Sequence, residues 1–554
     1  MGDYNPETFA VIDIETTLDH KTIHGAGITL SHNGQVIASE WVTSPESLSN
    51  MLNGASHVVG HNIIGFDLPI LAEVWGFTLP SFITIVDTLI LSRLANPNRD
   101  GGHSLRNLAL QCGLNQKQDF DVADFDGPVT EKMVEYCIAD CVANVDVYHM
   151  LAAEVESFGA SVEIEHIVAT ATKVQEANGF ALDFDRACTL HTEHTNRMEE
   201  IERDLQETFP PLVEERWSEK TGKQLKDKVT VFNPGSRQQV AERLEAKGAV
   251  WKVRTETGKA KVDETTLAEL GIPEADLVLE YLTLGKRVGM LRSWLDSVAE
   301  DGRIHGRVNT CGAVTGRMTH SKPNLAQIPS ERAYRECFTV SEGNSLVGVD
   351  ASGLELRMLA HYMKDDEYTD LILNGDIHSY NQELAGLPER NDAKTFIYAL
   401  LYGAGDAKLG SIIDGGARDG ARLRSRFMEG LPAFSELVTK VAKISANGTV
   451  PGLDGRRVHV RSEHAALNSL LQSAGAIVMK QALVIALEKL ADYGYPYKLV
   501  AQVHDEFQLE VPTEYAQRVG VVFRNSIREA GRRLNLRCPL DGEYMIGSTW
   551  ADTH

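Results

Sequence analysis

The chain has 554 residues, of which 43% are hydrophobic, and a formal net charge of −24, so several globular domains are predicted rather than one core. The N-terminus lacks the layout of a signal peptide, and no apolar run is expected to reach the length of a transmembrane helix, which argues against a membrane protein. Seven cysteines without C-x-x-C spacing favour reduced thiols in a cytoplasm over a disulfide framework or a structural zinc.

The acidic balance argues superficially against a nucleic-acid partner, because phosphate contacts need Lys and Arg. However, the acidity is concentrated at the N-terminus, where residues 1–155 hold twenty Asp and Glu against six Lys and Arg. Local basic clusters therefore matter more than the sum. They are Arg422, Arg424 and Arg426; Arg456, Arg457 and Arg461; and Lys286, Arg287 and Arg292.

The N-terminal segment reads as an α/β domain. Residues 8–14 (TFAVIDI) are an apolar run ending in carboxylates, which predicts a buried strand. Strand and helix signals alternate up to about residue 155, and residues 139–158 predict a long helix. One α/β domain is therefore expected over 1–155.

The chain then turns mostly helical from 160 to about 300. An Asn-Pro-Gly turn in 232–240 interrupts this region, and Ser236 is placed to cap the helix that follows. Residues 275–300 predict a long amphipathic helix.

The remainder reads as a split α+β domain with a helical insert. Its predicted elements are a strand at 345–350 broken by Ser352-Gly353, a helix LELRMLAHYM, a helix at 390–403, and a hairpin at 497–511 with the three-residue polar turn His504-Asp505-Glu506.

Two carboxylates stand on one face of the first strand. Asp13 and Glu15 are two residues apart, and Asp67 and Asp140 follow, with Tyr136 one helical turn before Asp140. Four converging carboxylates would repel one another without cations, and hard oxygen ligands suit Mg²⁺ or Mn²⁺. Taken alone, Asp13 and Glu15 could simply end a strand, and Asp140 could be a solvated residue of a helix. The ordered pattern D-x-E, N-x-x-x-F-D and Y-x-x-x-D favours metal-assisted phosphodiester cleavage.

A second group lies in the C-terminal half. Asp350 ends a strand and Asp505 occupies a hairpin turn, so both are placed to clamp metals on a triphosphate, although turn chemistry would explain either alone. On the helix at 390–403, Arg390, Lys394, Tyr398 and Tyr402 recur every four residues. This stripe offers charge for phosphates and rings for sugar and base; the alternative is a solvated basic face with two core tyrosines.

These segments resemble known families. The first pattern resembles the DEDD-type 3′→5′ exonucleases in the variant with a Tyr, to which VDTLILSRL at 86–94 is also similar. Much of 275–554 resembles the A-family, DNA polymerase I-like polymerases, most closely the replicative enzymes of short-tailed bacteriophages. The segments that carry this second resemblance include VTGRMTHSKPNLAQIPS, VDASGLELRMLAHYM, RNDAKTFIYALLYGAG, LLQSAG and VHDE.

The resemblance implies a ribonuclease H-like α/β exonuclease domain and an α+β right-hand polymerase domain. The expected divisions are 1–155 exonuclease, 156–340 thumb and start of palm, 341–385 palm, 386–455 fingers, and 456–554 palm with the HDE hairpin.

The resemblance also implies residue roles. For the exonuclease, it gives Asp13, Glu15, Asp67 and Asp140 as metal ligands and Tyr136 as the residue that orients the attacking water. For the polymerase, it gives Asp350, Asp505 and the carbonyl of Ala351 as metal ligands, with Glu506 nearby. It places Arg390, Lys394 and His378 on the incoming phosphates, and Lys394 would also protonate the pyrophosphate leaving group. Tyr398 and Glu355 would close the sugar pocket, Tyr402 would lie near the template base, and the primer terminus and minor groove would be contacted by Arg317, Asn468, Gln472 and His504.

The expected cofactor is Mg²⁺, two ions per active site, with Mn²⁺ able to substitute. The expected partners are primer-template DNA, dNTPs, a phage helicase-primase and a single-strand binding protein, with Lys286, Arg287 and Arg292 on DNA phosphates. The region 160–300 looks too short for the long loop by which a phage relative binds host thioredoxin, so no thioredoxin clamp is expected. Two alternatives remain: a phage-type RNA polymerase, against which Glu355 and the exonuclease set argue, and a non-catalytic accessory subunit, which should have lost its carboxylates.

Overall fold

The computed structural model describes residues 7–114 and 125–554. The chain divides into two compact units. The first comprises the residues up to Gly179, Gly306–Ile328 and Val340–His554, and the second comprises Phe180–His305 and Pro329–Thr339.

The first unit begins with a five-stranded sheet in the order β3-β2-β1-β4-β5. β1 pairs antiparallel with β2 and parallel with β4, and β5 extends the parallel part. The predicted N-terminal strand and the long helix near 139–158 are confirmed. The elements are β1 (Thr8–Thr16), β2 (Ile23–His32), β3 (Gln35–Val42), α1 (Pro45–Met51), β4 (His57–Gly60), α2 (Asp67–Trp75), β5 (Thr84–Asp87), α3 (Thr88–Ala95), α4 (Leu105–Gln111), α5 (Glu131–Val155) and α6 (Ser161–Asn178).

The second unit is built on two long helices. Its core contains Phe209, Phe232 and Trp251, and Ser236 caps α8 by accepting the Gln239 N–H, as predicted. Its elements are β6 (Phe180–Leu182), α7 (Phe184–Thr208), β7 (Leu212–Trp217), β8 (Gln224–Thr230), α8 (Arg237–Ala246), α9 (Glu264–Ala268), α10 (Pro273–Leu295), β9 (Arg303–Ile304) and, after the return of the chain, α11 (Arg332–Arg335) and β12 (Phe338–Thr339).

The rest of the first unit is a four-stranded antiparallel sheet in the order β16-β17-β13-β18, with helices inserted between β13 and β16. This matches the predicted split α+β arrangement. The elements are β10 (Arg307–Asn309), β11 (Thr319–Ser321), β13 (Asn344–Ala351), α12 (Leu354–Met363), α13 (Asp366–Asn374), α14 (Ile377–Ala385), α15 (Arg390–Leu401), α16 (Asp406–Gly410), α17 (Ala417–Gly430), α18 (Pro432–Ser445), β14 (Thr449–Pro451), β15 (Arg457–His459), α19 (Ala466–Tyr493), β16 (Lys498–Val503), β17 (Glu506–Pro512), α20 (Ala516–Arg533) and β18 (Gly542–Gly547).

The structure corrects two expectations and adds one element. The region 160–300 is mostly helical, as predicted, but β7 and β8 form an additional hairpin whose side chains are almost all exposed. The helical segment Glu463–Tyr493 is long and apolar enough to cross a membrane, contrary to the expectation for the whole chain, but 83% of its most apolar window is buried inside the protein, as in a core helix. The turn of the 497–511 hairpin has two residues rather than three, since Glu506 already belongs to β17.

Candidate active sites

The first carboxylate site lies where β1 faces α5. Asp13 and Glu15 leave the same face of β1, and the backbone N–H between them donates to Oδ1 of Asp67 at 3.1 Å. Asp140 on α5 interacts electrostatically with Asp13 and Glu15 and is hydrogen-bonded to Tyr136 one turn earlier. The structure therefore brings all five predicted residues together.

Burial and mutual repulsion dominate the electrostatics of the carboxylates in this site. Burial, and then Asp140, raises the pKa of Asp13 to about 7. Burial, Asp13 and Asp140 raise the pKa of Glu15 to about 9, and burial with Asp13 raises that of Asp67 well above its usual value. Burial and Asp140 also raise the pKa of Tyr136. A cluster of oxygen donors that disfavours its own ionisation fits hard divalent cations, which relieve the repulsion.

A buried aspartate that the sequence analysis did not single out supports the site. Asp87, at the end of β5, accepts the N–H groups of Asn62 at 2.9 Å and Ile64 at 3.2 Å, and so holds the turn that leads into Asp67. The N–H of Asp87 itself donates to Nε2 of His166 on α6 at 2.8 Å. Its sequence signals were the Asp at a strand end and its place in the segment VDTLILSRL at 86–94.

The second carboxylate site lies on the β13–β17 pair. Asp350 stands opposite Glu506 in the antiparallel register, and the Ala351 N–H donates to the backbone carbonyl of Asp505 at 3.1 Å. Loss of hydration in the cleft, and then Asp505 and Glu506, raises the pKa of Asp350 to about 7. Burial also raises the pKa of Asp505. The two aspartates are therefore adjacent, as predicted, and again fit cation binding.

Glu506 differs from its neighbours because its carboxylate is engaged by other side chains. It is 5% exposed, accepts from Trp550 Nε1 at 2.7 Å and from Gln508, and lies 3.0 Å from Nδ1 of His554. Sequence reasoning missed these partners, because nothing in the spacing of residues 550–554 shows that this segment returns to β17.

Arg390, the first residue of the stripe on α15, contacts Asp376, which the sequence analysis did not single out. Arg390 forms a two-pronged ion pair with Asp376, at 2.8 Å and 3.0 Å, and Asp376 also caps α14 at His378. Nδ1 of His378 is buried without a hydrogen-bond partner among the described residues. Burial, and then Arg390 and Lys394, lowers the pKa of this histidine.

Glu355 contacts Tyr402, the last residue of the α15 stripe, and lies near the carboxylate of Asp505. The Tyr402 hydroxyl donates to both of its oxygens, at 3.0 Å and 2.8 Å, and Arg317 Nη2 lies 3.2 Å from one of them. The rings of Tyr398 and Tyr402 are 6.4 Å apart. Burial, Glu355 and Asp505 raise the pKa of Tyr398, so this hydroxyl also lies near the cluster.

The predicted primer contacts lie at the hairpin turn and on α19. His504 occupies the turn in the left-handed region with φ 56°, and a small cavity of about 40 Å³ lies between it, Arg317, Lys480 and Gln502. Asn468 and Gln472 lie one turn apart on α19 and are partly buried.

In the second unit, each of the three predicted phosphate contacts has an acidic partner. Lys286 pairs with Glu264; Arg287 lies 2.9 Å from Glu331 and Arg292 lies 3.3 Å from Asp296. These cations are therefore partly neutralised by acidic side chains of the protein itself.

Comparisons with known proteins identify a polymerase family and an exonuclease domain. Residues 197–552 match the profile described as DNA polymerase family A, and residues 10–156 match that described as 3′-5′ exonuclease. The chain is 32% identical to the DNA-directed DNA polymerase of Enterobacteria phage T3 and 33% identical to that of Escherichia phage T7. Each alignment spans 649 positions, 90% of this chain and 92% of the relative. Because 649 exceeds 554, both phage relatives carry insertions relative to this chain.

More distant likenesses cover nearly the whole chain. It is 28% identical to DNA polymerase I of Aquifex aeolicus over 98% of this chain and 96% of that protein. Its fold matches the polymerase domain of Pol1 from M. smegmatis, solved in complex with DNA primer-template and dNTP, with a TM-score of 0.83 at 21% identity, over 99% of this chain and 96% of the other.

Proposed function

The chain belongs to DNA polymerase family A and is a DNA-directed DNA polymerase with a 3′–5′ exonuclease domain; from this premise we propose which residues perform its two reactions. Extension takes place at Asp350 and Asp505, and cleavage of 3′ ends at Asp13, Glu15, Asp67 and Asp140. The observation that carries the proposal is that each set converges in space from distant sequence positions, and that loss of hydration raises the pKa values of Asp13, Glu15, Asp67, Asp350 and Asp505.

At the polymerase site, Asp350, Asp505 and the carbonyl of Ala351 would hold two Mg²⁺ ions, for which Mn²⁺ can substitute. When bound, such ions stabilise the charge on the attacking and leaving oxygens of phosphoryl transfer. Glu506 keeps a negative group beside the aspartates, and its bonds to Trp550 and Gln508 fix where that group lies.

Arg390, Lys394 and His378 bind the triphosphate of the incoming dNTP. Arg390 must exchange Asp376 for a phosphate oxygen, and the two-pronged geometry of the present pair suits that exchange. Lys394 is exposed and delivers a proton to the pyrophosphate leaving group.

Tyr398 and Glu355 form the sugar pocket and leave no partner for a ribose 2′-hydroxyl. The Tyr402 hydroxyl donates to Glu355 and stands near the template base, so the entering sugar competes with this hydroxyl for the carboxylate. Arg317, His504, Asn468 and Gln472 read the primer terminus through minor-groove acceptors that all base pairs share.

At the exonuclease site, the four carboxylates would hold a second pair of Mg²⁺ ions. Tyr136 orients the attacking water, and its hydrogen bond to Asp140 keeps the hydroxyl on the side of the metal ligands. Asp87 does not touch this chemistry; it positions the turn before Asp67.

The domain divisions, partners and location complete the proposal. Residues 1–155 form the exonuclease, 156–340 the thumb and start of the palm, 341–385 and 456–554 the palm, and 386–455 the fingers. The substrates are primer-template DNA and dNTPs. The partners are a phage helicase-primase and a single-strand binding protein, and no thioredoxin clamp is used. The enzyme works in the cytoplasm of a bacterial host.

Primer extension with matched variants tests the two-site assignment. The wild-type protein should extend a primer with dNTPs but not with rNTPs, and should degrade it when nucleotides are withheld. Asp505→Ala should lower extension by orders of magnitude with little change in DNA binding, and should keep degradation of single-stranded 3′ ends. Asp13→Ala combined with Glu15→Ala should do the reverse. Loss of both activities in either variant, or near-normal extension by Asp505→Ala, would contradict the assignment.

A further inference from the structure

A cysteine thiol lies inside the nuclease carboxylate cluster. Cys137 on α5 is fully buried, and its Sγ lies 3.5 Å from Oδ2 of Asp13 and 3.4 Å from the Asp13 carbonyl oxygen. The same thiol hydrogen-bonds the carboxylate of Glu15, which is 6% exposed. One ligand atom from each of these three residues falls within 4.8 Å of the others.

Packing fixes this thiol toward β1. Gly27 stands opposite Asp13 in the β1–β2 ladder, and a Cβ at Gly27 would lie 2.9 Å from Cys137 Sγ. The next thiol along the helix, Cys141, hydrogen-bonds the Gly27 carbonyl at 3.3 Å and also hydrogen-bonds Cys137. Cys137 is therefore the thiol that contacts the carboxylates of Asp13 and Glu15 directly, and Cys141 lies behind it.

The spacing suits a tetrahedral cation. With Zn–S of about 2.3 Å and Zn–O of about 2.0 Å, two ligands of a tetrahedral zinc stand about 3.5 Å apart, which is the separation of Cys137 Sγ from Asp13 Oδ2. Thiolate ligands select Zn²⁺ and similar soft ions, whereas Mg²⁺ binds oxygen. Asp13 keeps some solvent exposure, whereas Cys137 and Glu15 are buried.

We propose that Cys137, Asp13 and Glu15 form a binding site for one thiophilic divalent cation, Zn²⁺ or Cd²⁺, which takes the place of Mg²⁺ in the nuclease centre and stops cleavage of 3′ ends. The thiol proton passes to solvent as the ion binds. The inhibitory consequence rests on the proposed exonuclease assignment, whereas the binding of the ion does not.

Cadmium titration tests the binding directly. The full-length protein, freed of metal by a chelator, is titrated with CdCl₂ while the ultraviolet thiolate-to-cadmium charge-transfer band is followed. We expect one equivalent of the band in the wild-type protein, its loss in Cys137→Ser, and its retention in the matched control Cys141→Ser. Asp13→Asn and Glu15→Gln should each weaken binding by about tenfold or more, since each removes a charged ligand.

A measurement on the unmodified protein guards against variants that do not fold. Zinc-edge X-ray absorption of the protein loaded with one equivalent of Zn²⁺ should show one sulfur at about 2.3 Å together with oxygen neighbours. An all-oxygen shell, or a band that survives in Cys137→Ser, would overturn the proposal. So would a band unchanged by both carboxylate substitutions.

Nuclease assays separate this proposal from the assignment of the exonuclease site. Zn²⁺ should stop degradation of 3′ ends at concentrations that leave primer extension intact, and Cys137→Ser should raise the half-inhibitory concentration by about tenfold or more. If cadmium binds through Cys137 but Asp13→Ala still degrades 3′ ends, the assignment of the carboxylates to the nuclease is wrong. The proposed inhibition then fails with it, whereas the ion-binding site is retained. Mg²⁺-dependent cleavage that needs Asp13, with no thiolate band, would refute the ion site alone.

Discussion

Glu165 and Lys480 form a buried ion pair, with the lysine Nζ 2.8 Å and 2.7 Å from the two carboxylate oxygens. Arg456 Nη1 lies 2.8 Å from the same carboxylate, so Glu165 on α6 joins α19 and the β14–β15 hairpin. The following residue, His166, accepts the N–H of Asp87 behind the nuclease site. Consecutive residues of α6 therefore contact the polymerase and exonuclease parts of the first unit.

Removing the charge of Glu165 should destabilise this junction strongly. Glu165→Gln leaves Lys480 uncompensated in a site where both partners are almost fully buried. Breaking a buried pair in this way costs about 3–5 kcal/mol, because one charge stays desolvated. Chemical denaturation should show this loss. The matched control is Glu529→Gln, which breaks surface pairs with Arg532 and Arg533 and should cost less than about 1 kcal/mol. Equal effects of the two substitutions would show that the buried pair is not a major contributor.

The same pair predicts an acid dependence of stability. Burial opposes ionisation of Glu165, but Lys480 and Arg456 outweigh it and lower its pKa to about 2. A carboxyl whose pKa is depressed by folding stabilises the native state above its unfolded pKa, and that contribution is lost as pH falls through the folded value. The difference in stability between the wild-type protein and Glu165→Gln should therefore be constant above about pH 5 and shrink between about pH 4.5 and 2. Denaturant midpoints measured across this range check it, and a difference that grows on acidification would contradict the assigned charge state.

Sequence patterns predicted most of the first unit because its elements bury one side. β1, β13 and α12 carry apolar residues that face a core, so the apolar periodicity marked them. The hairpin β7–β8 was missed for the opposite reason: its side chains are nearly all exposed, so no apolar alternation exists to read. α19 is apolar on every side because it is packed all round, which also explains its resemblance in composition to a membrane helix.

The carboxylates of both sites were predictable because each lies at the end of a predicted strand or in a recognisable pattern. Their supporting residues were not. Asp87, Asp376, Trp550 and Glu165 act through contacts across long stretches of chain, and no local spacing records such contacts. Cys137 was likewise noted only as one of seven scattered cysteines, since its place beside Asp13 depends on how α5 crosses β1.

Tyr398→Phe should raise discrimination against dideoxynucleotides. The Tyr398 hydroxyl lies near Glu355 and Asp505, where it can replace the hydrogen bond that a missing 3′-hydroxyl would make near the triphosphate. Phenylalanine cannot do this, whereas it preserves the ring and therefore normal extension. Relative incorporation of ddNTP and dNTP by single-nucleotide kinetics checks the effect. The control is Tyr362→Phe, a half-buried tyrosine on α12 that is not among the proposed site residues; equal discrimination by wild-type protein and Tyr398→Phe would remove this role.

Binding of primer-template DNA should weaken steeply with salt and should not gain processivity from thioredoxin. Phosphate contacts by Lys286, Arg287 and Arg292 release counterions, but each cation must first leave an acidic partner in the second unit. Arg292→Gln should reduce the slope of log affinity against log salt by about one. Conversely, Asp296→Asn, which frees Arg292, should strengthen binding at low salt. The proposal that no thioredoxin clamp is used predicts that product lengths measured under a DNA trap are the same with and without thioredoxin. A several-fold lengthening by thioredoxin would show that the second unit holds a clamp site after all, and an unchanged salt slope in Arg292→Gln would remove that residue from the DNA path.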